Sequence, residues 1–405
     1  MATLTEDWLA QLHHELKDNI LDFWIRHTLD EARGGFVGEI DSRMNVNPSA
    51  EKSLVLNARI LWTFSSAYRL YGDPAYLKMA DRALDYLRQH FIDSEYGGLY
   101  WMVDADGNPS QTKKQVYGQA FAVYALSEYN RATGSADALE LATELFRLME
   151  KHGYDPVYGG YIEALSREWE STDNLTLSDK DLNEKKSMNT HLHVLEAYTA
   201  LYRVWKPEEL RSRLAELITT MLDQIVTPDG RHFLLFFDEA WNVKSDHVSY
   251  GHDIEGSWLL AEAAEVLGDE ALLNRVRSVA ISMAEATLAE GIDEDGGIWN
   301  EAGPGGLLGR DKDWWPQAEA VVGFYNAYQL TGEPRFEEAA RAAWSFIDRY
   351  VVDHEQGEWH WGVDEARLPL WNEPKVSAWK CPYHNSRACL EMIERLESQT
   401  HSKEQ

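Results

Sequence analysis

A glycine-centred turn flanked by aromatic and branched residues recurs six times along this chain. It reads Gly34-Gly35-Phe36-Val37-Gly38, Gly97-Gly98-Leu99-Tyr100-Trp101 and Gly159-Gly160-Tyr161-Ile162-Glu163, then Gly230-Arg231-His232-Phe233, Gly296-Gly297-Ile298-Trp299 and Gly357-Glu358-Trp359-His360-Trp361. Measured between Gly35, Gly98, Gly160, Gly230, Gly297 and Gly357, the steps are 63, 62, 70, 67 and 60 residues. One such unit cannot bury its apolar face alone, so neighbouring units must stack into an array or a ring.

Between the turns the apolar spacing is helical, three or four residues at a time, and the breaks hold Gly, Pro or Asp. Twelve helices are expected, at 5–28, 53–71, 74–91, 115–132, 136–152, 187–205, 208–226, 252–267, 270–290, 313–331, 334–350 and 382–398. Tight links such as Tyr71-Gly72-Asp73-Pro74, Thr133-Gly134-Ser135 and Thr331-Gly332-Glu333-Pro334 make antiparallel neighbours of the pairs they join. An open solenoid would carry polar capping repeats at its ends. Here the first helix is as apolar as the middle ones (Leu9, Leu12, Leu16, Ile20, Leu21, Phe23), and so is the last (Leu390, Met392, Ile393). The expectation is therefore an all-α fold, a closed (α/α)6 barrel forming one domain over 1–405. The glycine turns should be short β-hairpins at one end, each leading into an even-numbered helix. The segment Ser171–Lys186 is polar and without periodicity, and reads as a long functional or mobile loop.

The net charge of −30 argues against nucleic acid and anionic membranes as partners. No Lys/Arg cluster offers an anionic substrate a seat. No apolar run is long enough to span a bilayer. Cys381 and Cys389 make no CxxC pair and no disulfide framework. With Met1–Asp7 charged early and lacking an apolar leader, the cytoplasm is the expected location. The 16 tryptophans suit a carbohydrate site, though large cores use them too.

In a closed barrel all even helices run one way, so their N-termini meet beside the glycine turns. Polar and aromatic residues concentrate there. Helix two carries Asn57 and Arg59. Helix four opens Lys114, Val116, Tyr117, Gln119, and helix six opens Ser187-Met188-Asn189-Thr190-His191-Leu192-His193. Helix eight opens Gly251-His252-Asp253-Ile254-Glu255. Helix ten opens Asp313-Trp314-Trp315-Pro316-Gln317-Ala318-Glu319, and helix twelve opens Trp379-Lys380-Cys381-Pro382-Tyr383-His384-Asn385. His193 shares a helix face with Asn189 and Glu196, and His252 with Glu255. A lone histidine is usually a core or capping residue. Three at matched positions of separate repeats point to chemistry. A helix N-terminus disfavours positive charge, so these imidazoles should be neutral and able to accept a proton, with Glu255 orienting one of them. Tyr117, Trp315 and Trp379 are either core aromatics or stacking faces for a sugar ring.

His191 and His193, two apart on a helix, point to different faces and cannot grip one ion, so no metal is expected. No phosphate loop or GxGxxG follows a strand, so no nucleotide cofactor is expected either.

Six stretches together resemble the N-acylglucosamine 2-epimerase family, most closely its cellobiose 2-epimerase branch. They are Leu56-Asn57-Ala58-Arg59-Ile60-Leu61-Trp62, Val116-Tyr117-Gly118-Gln119-Ala120-Phe121, Met188–His193, Gly251–Glu255, Trp314–Glu319 and Trp379–Asn385. The resemblance implies an (α/α)6 barrel and C2 epimerisation of a neutral sugar without cofactor. It implies His252 and His384 as the acid/base pair, with His193 assisting near the ring oxygen and O1. It places Arg59, Tyr117, Asn189, Glu255, Trp315 and Trp379 in the substrate shell. The implied reaction converts the reducing-end glucose of β-1,4-linked disaccharides to mannose through a cis-enediol(ate), in a monomer. Free mannose or glucose as substrate, and mannose–fructose isomerisation, follow from the same resemblance. Two rivals stand beside it: an inverting glycoside hydrolase using Glu255 and Glu319, and a non-catalytic carbohydrate-binding scaffold.

Overall fold

The computed structural model describes residues 4–403. The opening segment Met1–Asp7, read above as lacking an apolar leader, lies partly outside them. Twelve helices follow in order: α1 (4–27), α2 (Leu54–Tyr71), α3 (74–91), α4 (Val116–Thr133), α5 (136–153), α6 (Met188–Val204), α7 (208–225), α8 (Tyr250–Leu267), α9 (270–291), α10 (Trp314–Thr331), α11 (334–351) and α12 (His384–Lys403). Each expected helix is present to within two residues at its start. The even helices form an inner ring and the odd helices an outer one, giving the (α/α)6 barrel.

The two rings differ in sequence because they differ in surroundings. In α2 every residue from Leu54 to Ala67 is buried, whereas α3 buries only Tyr76, Met79, Ala80, Ala83, Leu84, Tyr86, Leu87 and Phe91. The outer helices thus show the one-sided stripe of a surface helix, and the inner helices are apolar on every side. The inner helices α2, α4, α8 and α10 end on Gly72, Gly134, Gly268 and Gly332, with φ between 68° and 74°, the left-handed cap that glycine adopts without steric cost. The chain then reverses within a few residues; Asp73 caps α3 by accepting the Ala75 N–H at 2.9 Å. Outer helices α3, α5, α7, α9 and α11 each close on a π-helical turn just before the next glycine turn. No helix among the described residues is long and apolar enough to cross a membrane.

The strands depart from the expected hairpins. Short bridges such as Ile92–Leu99 and Tyr154–Tyr161 do close the glycine turns. The strand entering each inner helix, however, pairs with the strand that follows the glycine turn of the next repeat. Lys52–Ser53 pairs with Met102–Val103, Lys114–Gln115 with Ala164–Leu165, and Lys186–Ser187 with Phe236–Phe237. Val248–Ser249 pairs with Glu301–Ala302, and Lys312–Asp313 with Gly362–Val363. An Ile40–Val376 bridge joins the last repeat to the first and closes the ring.

Two sets of side chains repeat around this end and went unread in the sequence. The first is a lysine–aspartate pin: Lys52–Asp30 and Lys114–Asp93 at 2.8 Å, Lys186–Asp155 at 2.7 Å, Lys312–Asp293 at 2.6 Å, and Lys375–Asp353. The second comes from the fourth residue of four inner helices, α4, α6, α8 and α10, which receives a glycine-turn N–H. Gln119 accepts from Leu99 at 2.9 Å, His191 from Tyr161 at 2.8 Å, Asp253 from Phe233 at 2.8 Å and Gln317 from Ile298 at 2.8 Å. Much of the polar crowding at the inner helix starts therefore holds the turns in place. His191 is one of these pins.

Candidate active site

At the mouth formed by the N-terminal ends of the inner helices lies a cavity of about 420 Å³. All nine side chains singled out above line it: Arg59, Tyr117, Asn189, His193, His252, Glu255, Trp315, Trp379 and His384. They come from all six inner helices or the residues just before them. Trp314 and Trp361 line it too, their rings 4.7 Å apart. One wall is Leu177–Asp181, from the polar segment 171–186. That wall is tied down by Gln115 Nε2, which donates to the Thr176 carbonyl at 2.8 Å, and by Asn183 Oδ1, which accepts the Leu175 N–H at 2.9 Å.

The three histidines are held by different partners. His384 Nδ1 is hydrogen-bonded to Glu319 Oε1 at 2.6 Å; with Glu319 ionised, Nδ1 carries the proton and Nε2 keeps its lone pair. His193 is bonded through Nδ1 to Glu196 Oε2 at 2.8 Å, as their i, i+3 spacing allows. His252 Nδ1 is hydrogen-bonded to Ser249 Oγ at 2.7 Å. The expectation that Glu255 orients His252 is corrected by this contact. Glu255 instead accepts from Arg387 Nη2 at 2.7 Å and stands 3.9 Å from His384 Nδ1. Helix α12 also begins at His384, two residues later than expected, because Cys381–Tyr383 form a bent approach outside helical geometry.

Burial sets the charge states. It pulls His252 down to about 3, aided by the nearby His193. Burial, then Arg59 and Arg387, hold His384 well below the usual histidine range. Burial also lowers His193, against the opposing pull of Glu196. The neutrality expected from the helix termini is thus present, with desolvation as its main cause. Burial and the adjacent Glu319 push Glu255 up to about 8. At Glu196 burial is outweighed by Arg387, His193 and Tyr383, which hold it at about 2.

Arg59 is the cavity's buried cation. Its guanidinium lies 4.4 Å from the Phe121 ring centroid and 4.7 Å from that of Tyr383. It donates to the Tyr117 hydroxyl at 3.0 Å and the Trp379 carbonyl at 3.3 Å, and its Nε is unpartnered. A buried cation held by π faces and neutral oxygens keeps its charge available to a developing oxyanion. The Trp315 ring packs against both His252, at 4.6 Å between centroids, and His384, at 5.6 Å.

Two alternatives meet specific obstacles. Glu255, Glu319 and His384 bring ligand atoms within 4.8 Å of one another, a spacing that suits a metal. The Arg387 guanidinium already sits on both carboxylates, at 2.7 Å and 2.5 Å, where a cation would bind. The same geometry disqualifies these two as an inverting hydrolase pair, which needs carboxylates roughly 6.5–9.5 Å apart across the scissile bond. Ser249 and Arg387 were not among the expected site residues; Glu196 was read only as a helix-face neighbour of His193, and Glu319 only as a carboxylate of the rival hydrolase. A clue to Arg387 was available: it falls one helical turn after His384, just before the apolar run Ala388-Cys389-Leu390.

An (α/α)6 barrel whose mouth gathers neutral imidazoles, an uncompensated arginine and tryptophan walls defines an enzyme of carbohydrate chemistry working by proton transfer. Residues 34–388 match the sequence model of the N-acylglucosamine 2-epimerase (GlcNAc 2-epimerase) family. The cellobiose 2-epimerase of Bacteroides fragilis is 46% identical over 384 residues, covering 95% of this chain and 98% of that one. The cellobiose 2-epimerase of Ruminococcus albus is 41% identical, covering 96% and 98%. The solved cellobiose 2-epimerase of Bacillus thermoamylovorans B4167 superposes with a TM-score of 0.91 at 40% identity, covering 96% and 99%. The chain belongs to the N-acylglucosamine 2-epimerase family.

Proposed function

We propose that this chain is a cellobiose 2-epimerase, interconverting glucose and mannose at the reducing end of β-1,4-linked disaccharides. The observation that carries this reading is the placement of two neutral imidazoles, His252 and His384, against one Trp315 ring, with the Arg59 cation in the same cavity. Near-full-length identity to cellobiose 2-epimerases supports the choice of substrate.

In the proposed reaction the reducing-end ring opens to its aldehyde. One of the two histidines takes the C2 proton. The C2–H electrons form the C1=C2 bond, and O1 gains negative charge as a cis-enediolate. Arg59 and His193 face that oxygen and stabilise it. The other histidine gives its ring N–H proton to the opposite face of C2 as the C1 carbonyl re-forms, and proton exchange with solvent returns both rings to their starting states. Nothing is gained or lost, so no redox partner is needed. Tyr117, Asn189, Glu255, Trp315 and Trp379 position the sugar. The whole barrel acts as one catalytic domain. The chain is taken to act as a monomer, and the buried free thiols Cys381 and Cys389 suit a reducing cytoplasm.

Incubation with cellobiose, lactose, mannose and glucose, with chromatographic separation of products, tests this directly. The expected product from cellobiose is glucosyl-mannose with the disaccharide intact. Release of monosaccharides, or turnover of free mannose alone, would overturn the reading. The same assay against pH carries a second expectation. A base must be neutral to accept a proton, and burial lowers His252 to about 3 and His384 well below its ordinary value. Protonation therefore begins only well below pH 6.5, and kcat/KM should stay flat as pH falls from 7 to 5. An acid limb centred near 6.5, the ordinary histidine value, would contradict this assignment.

A further inference from the structure

Beneath the cavity one side chain joins everything that orients two of the three histidines. Arg387 is 1% exposed and sits between helices α6, α8, α10 and its own α12. Its Nη1 donates to Glu196 and to the Tyr383 hydroxyl, and Tyr383 in turn donates to Glu196. Its Nη2 donates to Glu319 at 2.5 Å and Glu255 at 2.7 Å, and its guanidinium lies 4.8 Å from the Trp258 ring centroid. Glu196 holds His193 and Glu319 holds His384. The two orienting carboxylates thus share one cation.

We infer that Arg387 is a positioning residue that sets the tautomer of His384, and steadies His193, by keeping Glu319 and Glu196 ionised at one buried point. This rests on the epimerase reading above. The argument is one of hydrogen-bond polarity. An ionised Glu319 can only accept, so His384 Nδ1 carries the proton and Nε2 is left as a base. A protonated Glu319 could donate to Nδ1 instead, and Nε2 would then carry the proton and be unable to take one from C2. Three carboxylates crowd this buried point: Glu196, Glu255 and Glu319. Without the guanidinium, burial and mutual repulsion would drive them to take up protons. Arg387 opposes that at each of them. The other groups facing His384 are Arg59 from α2 and His193 from α6, and neither favours a charged imidazole. Trp258 Nε1 donates to Glu319 Oε2 at 3.0 Å, which fixes the carboxylate plane but supplies no charge.

The test compares R387M, R387Q and R387K with the wild-type chain, using cellobiose turnover against pH and thermal melting. The two neutral variants should lose at least about 100-fold in kcat, the scale seen where a catalytic histidine takes the wrong tautomer. Their KM should change little, and the acid limb of kcat should move up by about one pH unit or more. R387K, which keeps the charge, should retain the wild-type limb and recover part of kcat. In an E319Q background R387M should cost clearly less than in the wild-type chain, because one of the two carboxylates it acts through is already gone. If R387M does not fold, R387Q and R387K carry the same comparison. A folded neutral variant with an unmoved acid limb would overturn the inference, and so would full additivity with E319Q. A wild-type chain that fails to convert cellobiose overturns the epimerase reading instead, so the two failures are distinguishable.

Discussion

His252→Ala and His384→Ala each lower kcat on cellobiose by about 10²–10⁴-fold, the usual contribution of one positioned acid/base group. C2 inversion needs a proton removed from one face and delivered to the other, so neither imidazole can cover for its partner. Both side chains sit at helix starts, packed on Trp315. Trimming either leaves the turn-pinning side chains of the barrel untouched, and melting should stay close to wild type. His191→Ala is the internal control and reverses the pattern. It strips the acceptor from the Tyr161 N–H, a bond of 2.8 Å, so its main cost is stability. Steady-state turnover at saturating cellobiose, paired with a melting curve for each variant, separates the two behaviours. A near-wild-type rate for either His252→Ala or His384→Ala would remove that residue from the mechanism.

Lys380→Met should destabilise the barrel by about 3–5 kcal/mol, the cost of leaving a buried charge without its partner. Lys380 and Glu358 are both fully buried, 2.6 Å apart. Glu358 also receives Trp24 Nε1 at 3.1 Å and Asn385 Nδ2 at 2.8 Å, so it joins the first helix to the last and sits at the seam of the ring. With the ammonium gone, Glu358 must stay charged and unpaired or take up a proton at neutral pH. In a chain of this size the loss should lower the melting temperature by about 4–6 °C. The double variant Glu358→Gln/Lys380→Met removes both charges and should recover more than half of the drop. A Lys380→Met melting curve within a degree of wild type would show that this seam does not depend on the pair.

The two expectations mark where sequence reasoning works and where it stops. The glycine-turn period and the helical spacing lead to twelve helices in two rings. The apolar ends Leu9–Phe23 and Leu390–Ile393 lead to ring closure. All of these are local patterns that a single strand of text carries. Collecting His193, His252 and His384 into one cavity follows from the ring, because the opening turns of parallel helices must meet. The partners of those histidines do not follow. Glu319 reaches His384 across 65 positions, and Arg387 reaches Glu196 across 191. Periodicity says nothing about which buried charges neutralise each other. For the same reason the crowd of polar residues at the inner helix starts looked more uniform than it is: Lys114, Gln119, His191 and Gln317 hold the turns, while Arg59, Tyr117 and Asn189 face the cavity. Glu255 was placed beside His252 by its i, i+3 spacing, yet its side chain turns towards Arg387, the strongest charge within reach.

The central claim is that a proton leaves C2 and another returns to it. Running the reaction on cellobiose in deuterated water, and reading the product by mass spectrometry and proton NMR, tests this most directly. An enediolate intermediate whose bases meet solvent predicts one deuterium at C2 of the mannose unit, rising with turnover, and none at other carbons. Epimerised product that keeps its original hydrogen at C2 after many turnovers would contradict the account.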